Sequence, residues 1–454
     1  MLAALVAAAA LTLIAAFTLL TVAFTDYEAE ALPSIAALTG GDIGGFLSLL
    51  PAYGGSLILR APAALLADAM GGGELAVYRA LAVPCLVAGV AFGLVLWGHL
   101  ATRRAGVAAA LALVIVAVNP LLLPALDTGH PEEYLGAVLC AAGVVAALRD
   151  RPLVAGLLIG LAGANKAWAV LAVVPALVAL RHGRLVFLVV AAGVCAIVLA
   201  PAIVHGTQAL ASAQTAAQQS GAIFQPWQWT WFLGEHGETV SGLYGEKPGF
   251  RTGPDWLGTV GHLPVVLLPV LLALLAWIRG MRRGDALLLL AFCFLLRCVV
   301  DPWDTAYYHL PFLMALAAHE VIARGRAPLG TLLATFAVYG TTVIARDHVT
   351  PDAQALLYLA WSVPAVVACA LALYAPGRWR ALTVGAVRRT DAALPSLARL
   401  AVPVGHRPPD SGHVASASPQ LTTVSVLGSE LSTSCPSSVT ATRSSMRTPT
   451  RPGT

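Results

Sequence analysis

The first 25 residues, Met1 to Thr25, carry no charged side chain, and apolar runs of comparable length recur along most of the chain that follows. A membrane-crossing α-helix needs about 20 mainly apolar residues. Inside a bilayer the backbone has no water to bond, so such runs must become helices. Windows of this kind fall at roughly 1–25, 76–100, 106–124, 133–148, 153–165, 168–181, 185–204, 263–278, 286–300, 306–323, 328–345 and 354–375. The expected fold class is therefore all-α, a polytopic transmembrane helical bundle of about twelve spans. The run at the start lacks a basic n-region and is followed by many more spans, so it reads as the first membrane helix, not a signal peptide. The windows 153–165 and 168–181 are too short to cross fully. They read as a hairpin that enters part of the bilayer.

Composition closes the soluble alternative. Only 11% of the residues are charged, against about 25% in an ordinary soluble domain, and mean hydropathy is +0.79. A chain this poor in charge cannot cover a water-facing surface. The net charge of +4 reads as a topology signal, not as a nucleic-acid footprint. Six of the seven cysteines lie in apolar runs, and no pair has metal-ligand spacing, which reads as buried free thiols.

Basic residues set the orientation. Arg103 and Arg104, Arg149 and Arg151, Arg181 and Arg184, Arg279, Arg282 and Arg283, Arg324 and Arg326, and Arg378 and Arg380 fall in short loops that alternate with the spans. Both termini are therefore expected in the cytoplasm. The outer side receives two long loops, about 25–75 and 205–262, and three short ones near 127–133, 301–309 and 346–352. Residues 1–380 read as the membrane domain. Residues 381–454, rich in Ser, Thr and Pro, read as a disordered cytoplasmic tail.

Polar groups are scarce, and most of the notable ones collect on the outer side. Asp26 and Glu28 stand where the first helix ends; partial desolvation there can turn a carboxylate into a general base, or the acids simply mark the helix end. The segment Ile43 to Met70, with Arg60 and Asp68 as its charges, reads as short interfacial helices. Arg60 there can contact a lipid phosphate or snorkel to a headgroup. Asp127, His130, Glu132 and Glu133 lie within seven residues. They can bind a divalent cation, hydrogen-bond sugar hydroxyls, or cap the next helix. Capping accounts for the two glutamates and leaves His130 unexplained. Lys166 occupies the hairpin turn after Gly156, Gly160 and Gly163; it needs a carboxylate or phosphate partner unless it snorkels. The stretch from Arg297 to His309 holds Asp301, Asp304, Tyr307 and Tyr308. Arg297 lies four residues before Asp301, a spacing that permits a pair, and Arg suits bidentate phosphate binding. In the second long loop, Trp227, Trp229 and Trp231 alternate with amides and a hydroxyl, as sugar platforms or as interfacial anchors.

Several of these elements in order form a pattern: Asp26-Tyr27-Glu28 and then Gly40-Gly41 after the first helix, Gly129-His130 later, then Gly160-Leu161-Ala162-Gly163-Ala164-Asn165-Lys166, and Trp303-Asp304-x-x-Tyr307-Tyr308-His309. The pattern resembles the C-type superfamily of integral-membrane glycosyltransferases, especially the actinobacterial polyprenyl-phosphate-mannose-dependent mannosyltransferase-like group, over about residues 1–380. The resemblance implies transfer of a sugar, mannose or another hexose or pentose, from a polyprenyl phosphate to a lipid or cell-envelope glycan on the outer face of the bacterial plasma membrane, with inversion. It implies Asp26 as base, with Glu28 in its place if the helix ends later. Arg297, His309 and Lys166, or a divalent cation, would stabilise the departing lipid phosphate; no cofactor is otherwise implied. Arg60, His130, Glu132, Glu133, Asp301, Asp304 and Tyr308 complete the expected substrate-binding set. The competing class is a secondary transporter of a small polar solute, which about twelve spans would suit, but no internal repeat is visible and the polar groups avoid the midplane. A non-catalytic scaffold is the third.

Overall fold

A computed structural model describes residues 16–20, 26–102, 106–205, 223–236, 240–242, 245–247, 251–254, 256 and 260–379. The expected first span, Arg103 and Arg104, Gln214 to Gln219 and the tail beyond residue 379 lie, wholly or largely, outside these residues.

Six described helices are long and apolar enough to cross a membrane. Short helices come first: α1 (Leu32–Thr39), α2 (Ile43–Ser48) and α3 (Gly54–Ala69). The first long helix, α4 (Glu74–Ala101), leads to α5 (Gly106–Ala117), which continues through α6 (Leu122–Thr128) as one span. Next come α7 (Pro131–Leu148), α8 (Pro152–Asn165), α9 (Val173–Ala179) and α10 (Arg184–His205). The chain closes with α11 (His262–Ile278), α12 (Ala286–Val300), α13 (Leu310–Ala318), α14 (Leu329–Tyr339) and α15 (Pro351–Tyr374). Strands of two or three residues occur only between α10 and α11 among the described residues, where Arg251–Thr252 pairs antiparallel with both Ile223–Phe224 and Glu235–His236.

Burial sorts the spans. In α7, 83% of the apolar window is buried, whereas the figure is 11% in α10 and 17% in α15. The exposed face of α10 presents Leu185, Val189, Ile197 and Ile203. Water would not tolerate so continuous an apolar surface, and lipid does. α7 is thus the central helix, and it carries Glu132 and Glu133 in its first turn. The short α8 is followed by the 3-10 turn Ala167–Ala172, with Lys166 extended between them. Glycine lets α8 pack closely on α10: a Cβ at Gly156 or Gly160 would lie 2.8 or 2.6 Å from a carbonyl oxygen of α10.

The arginine turns meet at one end. Asp150, at φ +53°, accepts from the Arg181 amide at 3.0 Å and from Arg283 Nη2 at 3.0 Å. Arg283 also donates to the carbonyls of Ala179 and Leu148. Those hydrogen bonds hold the Asp150 carboxyl below the usual carboxylate range, first through the Arg181 amide.

Candidate active site

Asp26 stands at the start of a π-helical turn, Tyr27–Ala31, an irregularity that recurs at functional sites. The Tyr27 ring packs against Tyr78 of α4, centroids 4.8 Å apart, and the Tyr78 hydroxyl donates to the Leu126 carbonyl. Gly129, between α6 and α7, has φ +100°, and a Cβ there would lie 2.6 Å from the Tyr27 nitrogen. Only glycine supplies both the left-handed turn and this close approach. The turn delivers His130 to Asp26: Nε2 lies 3.2 Å from Asp26 Oδ2, and Nδ1 lies 2.8 Å from Glu132 Oε1. Glu28 is exposed.

Behind His130 lies a buried charge network. Glu132, fully buried, meets Arg60 Nη2 at 3.2 Å and Lys166 Nζ at 3.1 Å. Lys166 also meets Glu133 Oε1 at 3.1 Å and lies 4.2 Å over the Tyr53 ring. Asn165 Nδ2 donates to the Glu132 carbonyl at 2.8 Å, and Ser56 Oγ donates to Asn165 Oδ1 at 2.7 Å. Gly55 permits this contact, because a Cβ there would collide with the Ala164 carbonyl. Burial alone would disfavour an imidazolium at His130, but the Glu132 carboxylate and the hydrogen bond to Asp26 outweigh it and lift the His130 pKa to about 9. Three cations, Arg60, His130 and Lys166, then face three carboxylates, Asp26, Glu132 and Glu133.

Three of the alternatives left open by the sequence divide here. Arg60 and Lys166 do not snorkel: Arg60 is buried, Lys166 is half-buried, and each is held by a carboxylate more than 30 residues away in sequence. Glu132 and Glu133 do more than cap α7, since their carboxylates neutralise these cations. The 127–133 cluster does not converge as a cation shell, because Asp127 is exposed while Glu132 and Glu133 are committed to Lys166.

On the far side of the network, the Arg297 guanidinium is sandwiched between aromatic rings, 5.0 Å from the Trp168 centroid and 4.6 Å from that of Tyr308. Its Nη1 is buried without a hydrogen-bond partner, as are Trp168 Nε1 and Glu133 Oε2. Tyr307 joins the two halves, its ring 5.5 Å from that of His130. Asp301 Oδ1 accepts from the Trp303 amide at 2.9 Å, closing the turn that presents Tyr307 and Tyr308. His309 lies deeper. Its Nδ1 faces the Ala306 carbonyl and its Nε2 lies 2.9 Å from the Tyr358 hydroxyl, which donates to Asp304 Oδ2 at 3.2 Å. Both ring nitrogens of His309 therefore face groups of the protein. The alternating tryptophans divide: the Trp227 indole donates to the Asp304 carbonyl and the Trp231 indole to Asp352 Oδ1, both at 2.7 Å, while Trp229 is exposed.

The structure thus gathers Asp26, Arg60, His130, Glu132, Glu133 and Lys166 into one network, with Arg297 and Tyr308 beside it and Asp304 and His309 behind. Tyr53, Ser56 and Tyr358 join them without having been singled out. A hydroxyl within the apolar run 354–375 is the one signal that pointed to Tyr358. A cavity of about 570 Å³ between Arg279 and Pro376 touches none of these residues.

A multi-pass helical membrane protein with paired carboxylates, cations and a partly accessible acid at one end has the polar groups of a membrane-embedded transferase. The sequence profile of glycosyltransferase family 87 matches residues 54–302, more than half of the chain, and the protein belongs to that family of membrane glycosyltransferases in the C-type superfamily. Membership decides between transferase and transporter in favour of the transferase. No curated protein and no solved structure matches the chain.

Proposed function

We propose that this glycosyltransferase takes a sugar from a polyprenyl phosphate and moves it to a hydroxyl of a lipid or cell-envelope glycan, with Asp26 as general base. The observation that carries the reading is the position of Asp26: it is a part-exposed carboxylate at one end of a chain of alternating charges, Asp26, His130, Glu132 and Lys166, whose two inner members are buried. Asp26 accepts the acceptor's hydroxyl proton. The oxygen bonds to the anomeric carbon as the bond from that carbon to the phosphate oxygen breaks, with inversion. The polyprenyl phosphate leaves with the bonding electron pair.

The departing dianion needs preorganised positive charge. Arg297 is suited to it: the guanidinium is fixed by two rings, and its Nη1 has no hydrogen-bond partner in the protein. Trp168 Nε1 is a second unused donor nearby, and Glu133 Oε2 is an unused acceptor for a sugar hydroxyl. Lys166 and Arg60 fix the carboxylates. His309 is assigned no contact with the phosphate. The setting is a bacterial plasma membrane with both termini in the cytoplasm, supported by the arginine turns that meet at the end opposite Asp26.

The test offers purified full chain in lipid nanodiscs a panel of labelled polyprenyl-phosphate sugars beside the matching nucleotide sugars. Labelled sugar leaving a polyprenyl donor supports the reading. Transfer from the nucleotide sugars alone overturns it.

A further inference from the structure

Cys298, Asp304, His309 and Tyr358 come from four places in the chain: the last turn of α12, the outer turn after it, the 3-10 turn Ala306–His309 and the second turn of α15. Their donor atoms converge. His309 Nε2 lies 2.9 Å from the Tyr358 hydroxyl and 3.5 Å from Asp304 Oδ2, and the same hydroxyl lies 3.2 Å from that carboxylate oxygen. One ligand atom each from Cys298, Asp304 and His309 lie within 4.8 Å of one another. Zinc bonds of about 2.0–2.1 Å to N and O place tetrahedral ligands about 3.3 Å apart, and a thiolate at about 2.3 Å somewhat further. The separations among His309 Nε2, Asp304 Oδ2 and the Tyr358 hydroxyl are close to that edge length, and Cys298 Sγ lies within 4.8 Å of the His309 and Asp304 ligand atoms.

Hydrogen bonding within the protein leaves this cluster incomplete. Asp304 and His309 are both fully buried, and Asp304 Oδ1 has no hydrogen-bond partner. Among the described residues, no Lys or Arg forms an ion pair with Asp304. A buried carboxylate without a cation is costly. A dication completes the balance: one thiolate and one carboxylate offset it, while the imidazole and phenol remain neutral. The soft sulfur ligand selects zinc over magnesium or calcium.

We propose that Cys298, Asp304, His309 and Tyr358 form a closed, structural zinc site behind the sugar-transfer site. The ion would tie the turn bearing Tyr307 and Tyr308 to α12 and α15. It would also secure the Trp227 loop, whose indole donates to the Asp304 carbonyl. On binding, the Cys298 thiol, 3.1 Å from the Tyr308 carbonyl, releases its proton to solvent.

The experiment purifies the full chain in detergent through a tag free of histidine and measures zinc by plasma mass spectrometry. The expected result is about one zinc per chain, lost in Cys298→Ser and Asp304→Asn and kept in Cys140→Ser, a buried cysteine outside the cluster. Cobalt-exchanged wild type should show a thiolate-to-cobalt charge-transfer band that Cys298→Ser lacks. Monodisperse wild type that holds no zinc and takes up neither metal overturns the proposal, as does wild-type zinc content in Cys298→Ser. If the substituted chains fail to fold, the cobalt spectrum of the wild type alone decides.

Discussion

Glu132→Gln tests the charge network at its centre. The substitution keeps the shape of the side chain and removes a fully buried charge that meets Arg60, Lys166 and His130 at 2.8–3.2 Å. Lys166 retains Glu133, but Arg60 is left buried against a neutral amide and backbone carbonyls. Stranding one member of a buried pair costs about 3–5 kcal/mol, roughly a hundredfold to several thousandfold in the unfolding equilibrium at about 1.4 kcal/mol per factor of ten. Reversible unfolding in mixed micelles, read by tryptophan fluorescence, measures it. A double-mutant cycle with Arg60→Met removes both charges together, and the double substitution should recover about 1–3 kcal/mol relative to additivity. A Glu132→Gln cost below about 1 kcal/mol, or strict additivity with Arg60→Met, would refute the claim that these charges are mutually compensating.

Other predictions concern the pieces. The His130 pKa is raised from 6.5 to about 9, so its contribution to stability is fully present below pH 6.5 and lost as the pH rises through 9. The gap corresponds to about 3 kcal/mol, and unfolding measured across that window should lose the dependence in His130→Asn. Gly129→Ala would push a methyl into the Tyr27 backbone at a φ of +100°; turnover should fall about a hundredfold through displacement of Asp26, read as kcat against KM with a lipid-linked donor. Arg297→Lys keeps the charge and loses the planar group held between Trp168 and Tyr308. Donor KM should rise about tenfold in steady-state kinetics, and an unchanged KM would remove Arg297 from the donor site.

The membrane architecture was legible because charge is so scarce: a few arginines sufficed to mark one end, and the remaining polar residues marked the other. The same scarcity singled out Arg60, Lys166, Glu132 and Arg297. Their pairings were not legible. Arg60 and Glu132 are 72 residues apart, and only the close packing of α3 on α8 at Gly55 brings the Lys166 turn over them. A lone arginine in an apolar segment is more often a headgroup contact, so sequence statistics favoured the wrong environment. Tyr358 was not singled out because a tyrosine is ordinary in a membrane helix and its polar partners, Asp304 and His309, lie about 50 residues away. Sequence could not divide the roles of His309 and Arg297 either; the distinction rests on which polar atoms the folded protein has already used.

The most direct test of the account compares wild type with Asp26→Asn in nanodiscs, using the lipid-linked donor that the panel identifies and measuring both donor binding and sugar transfer. The expected result is donor affinity within about twofold of wild type and transfer reduced by at least a thousandfold, since a neutral amide cannot accept the acceptor's proton. Transfer by Asp26→Asn at the wild-type rate would contradict the assignment of Asp26 as base and with it the reading of the whole network.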